Sequence, residues 1–121
     1  PKKMTLEEDA KEVYNKLKVE LEEIGFPNNC CKVAVIEMSK KGYGIIAGIV
    51  KLDNYCLMKT SHEQSHYWNF DPVTGNEFDI TASQFNIHIN DPKMPQIMVW
   101  KHGENPHFKS IDRGISPDYV F

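Results

Sequence analysis

Three side chains in this sequence have the types and order needed for covalent chemistry: Cys30, His66 and Asp79. A thiol attacks as its thiolate, which needs a positive environment or an adjacent base. Histidine is the side chain whose charge changes near neutral pH, and a neighbouring acid fixes its tautomer and stabilises the imidazolium. Together they predict a nucleophile, a base and an orienting acid for attack on an amide carbonyl through an acyl-enzyme. No cofactor is needed for that chemistry.

The elements that must position these groups follow from residue patterns. Residues 5–24 read as a helix, with apolar residues Leu6, Ala10, Val13, Tyr14, Leu17, Leu21 and Ile24 at helical spacing. Thr5 with Glu8 three residues on forms a capping box, and Gly25 and Pro27 end the run. Asn28 and Asn29 are suitable caps for a second helix over 30–40, whose run Val33-Ala34-Val35-Ile36 is apolar on nearly all sides and so predicts a central helix. Cys30 then stands at a helix start, where unpaired N–H groups and the helix dipole favour an anion.

Beyond Gly42 the period changes. Residues 43–52 read as a strand, and 56–60 as a second short strand or a loop. Residues 65–70 and 77–80 read as a hairpin around the turn 71–75, which brings His66 and Asp79 within reach of each other. Residues 96–100 read as a further strand, and the chain from Gly103 on as loop or a short edge piece. The order of elements predicts one α+β domain over 1–121, with N-terminal helices packed on an antiparallel sheet.

Bulk properties narrow the function. A net charge of −3 with dispersed Lys and Arg gives no basic stripe for nucleic acid or for an anionic membrane. No run approaches the roughly 18 apolar residues of a membrane span. Three cysteines, at 30, 31 and 56, make a poor disulfide framework. The polar opening Pro1-Lys2-Lys3-Met4 has no export-signal pattern, so the expectation is reduced thiols and a cytoplasmic protein.

The flanking residues sharpen this. Cys30 with Ala34, the Gly42-Tyr43-Gly44 bend, the strand Ala47-Gly48-Ile49-Val50, then His66-Tyr67-Trp68 and Asp79-Ile80-Thr81 resemble the core of the transglutaminase-like, papain-like cysteine hydrolases. The stretch 79–85 looks most like small bacterial proteins of the YunG-like type, and lasso-peptide leader peptidases share the same order of Cys, His and Asp. The resemblance covers about residues 28–85. It implies a papain/transglutaminase-like core, with Cys30 as nucleophile, His66 as base and Asp79 as orienter. It also implies a peptidase, deamidase or transglutaminase-type acyl transfer on a protein or peptide amide. Trp68 would wall the site. The flank Asn28-Asn29 departs from the family pattern and leaves the second oxyanion donor, beside the nucleophile's own N–H, unassigned, with an Asn28 or Asn29 amide as the candidate. Asn29, Cys31 and Trp68 are therefore the expected substrate-binding residues.

Other readings compete. Cys31 duplicates the thiol, and Cys30 is preferred because it sets Ala34 at the family offset and lies nearer the helix start. Asp79 also suits a cap on the turn before Thr81. Cys56, His88, His102 and His107 read as ordinary structural or surface residues. His62-Glu63-Gln64-Ser65-His66 matches the H-E-x-x-H zinc motif, which needs both histidines on one helical face. The surrounding hairpin pattern argues against that. A binding module that keeps the fold without catalysis is the remaining class.

Overall fold

The computed structural model describes residues 4–56 and 61–120; of residues 55, 56 and 61 it describes the backbone alone. The second half of the 56–60 reading and the Cys56 thiol lie outside the described residues. The chain is α+β, with two α-helices and a five-stranded antiparallel sheet.

Helix α1 spans Leu6–Glu20 and opens with the expected capping box. The Glu8 backbone N–H donates to Thr5 Oγ1 at 3.1 Å, and the Thr5 N–H donates to Glu8 Oε1 at 3.0 Å. Each bond satisfies an N–H that the first turn leaves without an intrahelical acceptor. The helix stops four residues short of the expected end: Glu22–Ile24 tighten into a 3-10 turn closed by Gly25 at φ 81°. Ala10, Val13, Tyr14 and Leu17 bury its inner stripe against Ala34 and Met38 of helix α2, Cys31–Ser39.

Helix α2 is central, as its apolar run predicts. Val35 packs on Ile45 and Val120, while only the flank bearing Val33 is open. Asn69 fastens it to the sheet: its buried amide donates to Val35 O at 3.2 Å and to Gly44 O at 3.0 Å.

The strands are β1 (Gly44–Cys56), β2 (Ser61–Phe70), β3 (Glu77–Asp79), β4 (Met98–Trp100) and β5 (Phe108–Arg113), in the spatial order β4-β3-β2-β1-β5. The register sets Gly48 opposite His66 and Ile46 opposite Trp68. Side chains alternate across a sheet, so His66, Trp68 and Phe70 share one face. Tyr67 and Asn69 take the other, under α2. Gly48 is required: a Cβ there would lie 2.3 Å from the Trp68 ring and 2.2 Å from Lys109 O. The β2–β3 hairpin turns through 71–76, with Gly75 at φ 81°.

One expectation changes here. The chain from Gly103 on is more than loop, because β5 pairs with β1 and completes one edge of the sheet. Its strand is six largely polar residues flanked by Gly and Pro, so composition alone concealed it. After Asp79 the chain leaves the sheet as a 3-10 helix over Ala82–His88, which lays Phe85 and then Ile89 and Met94 over the face bearing Trp68.

Candidate active site

The thiol that meets His66 belongs to Cys31. Asn29 is left-handed at φ 58°, Cys30 is the N-cap at φ −110° and ψ 12°, and α2 begins one residue later than expected. One residue turns a helix by about 100°, so the two thiols point apart. Cys30 is 2% exposed, and its Sγ donates to Asn28 O at 3.2 Å. Cys31 is half-buried at the first helical position, lines one cleft with His66 and feels the charge of its side chain. The expectation of Cys30 beside His66 is corrected on this geometry.

A short strand makes room for that sulfur. β3 pairs with β2 at Phe70 and Asn69 and no further back. In an antiparallel ladder alternate residues direct their N–H groups to the same neighbour. Tyr67, two residues before Asn69, therefore aims its N–H where the next rung of β3 would be. The Cys31 thiol lies on that side, where the Tyr67 N–H favours its thiolate.

On its other side His66 meets Asp79, with Nε2 2.6 Å from Asp79 Oδ2. Only the second ring nitrogen, Nδ1, is then left for Cys31. Asp79 Oδ1 accepts the Thr81 N–H at 2.7 Å and the Thr81 hydroxyl at 2.9 Å. The turn-capping and histidine-orienting readings of Asp79 therefore hold together, one carboxylate oxygen to each. Phe85 meets the imidazole edge-on at 4.8 Å between centroids, and Trp68 stacks on it at 6.1 Å. His66 and Asp79 are 4% and 2% exposed, so this pairing is dry.

Charge follows the contacts. Burial pushes the Cys30 thiol up, and Cys31 adds to it. Burial pushes Cys31 up too, but its hydrogen bond to His66, the charge of His66 and the Tyr67 N–H outweigh burial and carry it below the ordinary thiol value. For His66 burial disfavours the imidazolium, while the charge and hydrogen bond of Asp79, then Cys31, raise it to about 9. The two shifts favour the same state, a thiolate–imidazolium pair.

Cys31 and His66 open on a cleft of about 500 Å³, walled by Ala47, Gly48, Ile49 and Tyr67 on one side and Ile111 and Asp112 of β5 on another, with Lys32 at the rim. Two expected binding residues are elsewhere. Trp68 is fully buried beneath His66 and donates its Nε1–H to Glu77 Oε1 at 2.8 Å; it supports the imidazole without lining the cleft. The Asn29 side chain is exposed and outside the cleft lining, so Asn29 gives no wall and no oxyanion donor; Asn28 is exposed likewise. The Asn29 N–H instead donates to Gln84 Oε1 at 3.3 Å, and Gln84 Nε2 donates to Thr81 O at 3.0 Å. Gln84 thus ties the loop before the thiol to the turn after the acid. A Gln three residues past an Asp-x-Thr was the available signal, but it reads equally as local packing.

His62 and His66 stand on a strand, where four residues span about 13 Å, so the shared helical face of a zinc motif does not form. Among the described residues no group of three or more His, Cys, Asp and Glu converges as metal ligands. No described helix is long and apolar enough to cross a membrane. A second cavity, of about 440 Å³ and lined in part by Met94, Pro95 and Trp100, lies apart from the thiol.

Comparisons with protein-family models, with characterised proteins and with solved structures found no match.

Proposed function

We propose that this chain is a cysteine-dependent hydrolase or acyltransferase acting on amide bonds, with Cys31 as nucleophile, His66 as base and acid, and Asp79 as orienter. The observation that carries it is the contact series Cys31–His66–Asp79 at a helix start, opening on a cleft. The Cys31 thiolate adds to the carbonyl carbon of an amide, forming the S–C bond. The oxyanion that develops lies near the N–H of Cys31, a first-turn donor without an intrahelical acceptor. The tetrahedral species collapses with loss of the C–N bond, and the His66 imidazolium gives its proton to the leaving amine. Water, or an amine in acyl transfer, then attacks the thioester while neutral His66 takes its proton. The S–C bond breaks, the acyl group leaves as an acid or a new amide, and the thiolate–imidazolium pair is restored.

The order of thiol on a helix start, histidine on one strand and aspartate on the next supports a transglutaminase-like, papain-like core, with the thiol one residue later than the resemblance implies. A binding module is disfavoured by the dry His66–Asp79 pair beside a lowered thiol, an arrangement that packing alone does not require. The test is alkylation by iodoacetamide at pH 6.5, with sites read by peptide mass. Cys31 reacts at least tenfold faster than Cys30, and His66→Ala removes the advantage. Equal reaction of the two thiols, or indifference to His66→Ala, would sink the proposal.

A further inference from the structure

β5 carries an irregularity that the sequence concealed and that reaches the cleft. Ala47 of β1 faces Asp112, yet the next residue, Gly48, faces Ser110, so Ile111 is an extra residue without a partner on β1. Such a bulge re-aims a side chain. Ile111 is 58% exposed, although a large aliphatic side chain, and it lines the cleft that holds Cys31 and His66. Across from it stand Ile49 and Ala47, with Ser65 and Tyr67 beside them on β2. Ile111, Ile49 and Ala47 thus give the cleft an aliphatic wall. Its two fixed charges, Lys32 and Asp112, are of opposite sign and select neither cations nor anions.

We infer that Ile111 is the specificity-determining side chain of this cleft, and that the cleft takes an uncharged, branched aliphatic side chain next to the amide that Cys31 attacks. This rests on the cysteine-hydrolase reading. A volume of about 500 Å³ holds such a side chain with the short backbone segment that carries it. Discrimination comes from covering aliphatic surface with Ile111 and Ile49. For apolar pockets this is worth about tenfold in rate per one or two methylene groups.

The probes are iodoacetamide and N-(3-methylbutyl)iodoacetamide, each rate normalised to glutathione. Wild-type protein is expected to be alkylated at Cys31 about tenfold faster by the branched probe. Ile111→Ser brings that ratio below threefold. A normalised ratio of one in the wild type, or a tenfold ratio that survives Ile111→Ser, overturns the inference while the thiol remains reactive. A Cys31 inert to plain iodoacetamide overturns both this inference and the hydrolase reading, and that arm is read separately. Because Ile111 stands in solvent on an edge strand, its replacement leaves the core intact, which circular dichroism of the variant verifies.

Discussion

Two histidine–carboxylate pairs sit on the same face of the sheet, and they differ in what else touches the acid. Asp79 has neutral donors from Thr81 on one oxygen and His66 on the other. Glu77, equally buried, already receives Arg113 Nη1–H at 3.0 Å and the Trp68 indole N–H at 2.8 Å before it meets His102. The His66 side chain is 1% exposed, that of His102 59%. Arginine is charged at every relevant pH, so the charge of Glu77 is balanced without His102. The charge of Asp79 is balanced by His66 only when His66 is protonated. A carboxylate with a permanent cation braces a core, whereas one facing an imidazole beside a thiol holds a proton in readiness.

The sharpest way to break this contrast is His66→Ala. At pH 6.5 an ordinary thiol is about 1% ionised, so losing the imidazolium lowers alkylation of Cys31 by up to about 100-fold. His102→Ala is expected to leave that rate within about twofold. Asp79→Asn comes next, with a fall of about tenfold at pH 6.5 and a shift in the profile. In the wild type the alkylation rate is expected to inflect near pH 9, where His66 loses its proton. The carboxylate favours the imidazolium, so its removal moves that inflection to lower pH. An inflection that stays near 9 in Asp79→Asn would show that the acid does not govern the base.

Glu77→Gln tests the other pair. Chemical denaturation is expected to show a loss of about 1–3 kcal/mol, because Arg113 and Trp68 lose their charged acceptor. Alkylation of Cys31 stays within about threefold. His102→Gln is the smallest change, about 0.5 kcal/mol or less, since the His102 side chain stands largely in solvent. A loss of thiol reactivity in Glu77→Gln comparable to that in Asp79→Asn would merge the two pairs into one network.

Much of the frame was legible in the residues. The Thr5–Glu8 capping box, the apolar stripe of α1, the central character of α2 and the turn before Glu77 all come from local chemistry, which local sequence encodes. The pairing of His66 with Asp79 was legible because a hairpin register follows from its turn. The choice between Cys30 and Cys31 was not: it depends on where the cap ends, set by a left-handed Asn29 and by Gln84, 55 residues away. Trp68 was assigned to the cleft wall because period-2 alternation gives a face without saying what covers it. Residues 82–88 cover it, leaving the cleft to Ile49 and Ile111. The edge strand β5 was hidden because its partner lies about 60 residues upstream and its own residues are largely polar.

The missing rung of β3 has one more consequence. Where a carbonyl would ordinarily close the ladder, the Tyr67 amide faces the Cys31 side and favours its thiolate. That amide proton is a gauge beside the reactive atom. Its nitrogen-15 NMR resonance should shift as the thiol ionises and shift again when the sulfur is alkylated or acylated. The molecule thus carries a label-free readout of its own chemical state, one that can be followed before any substrate is known.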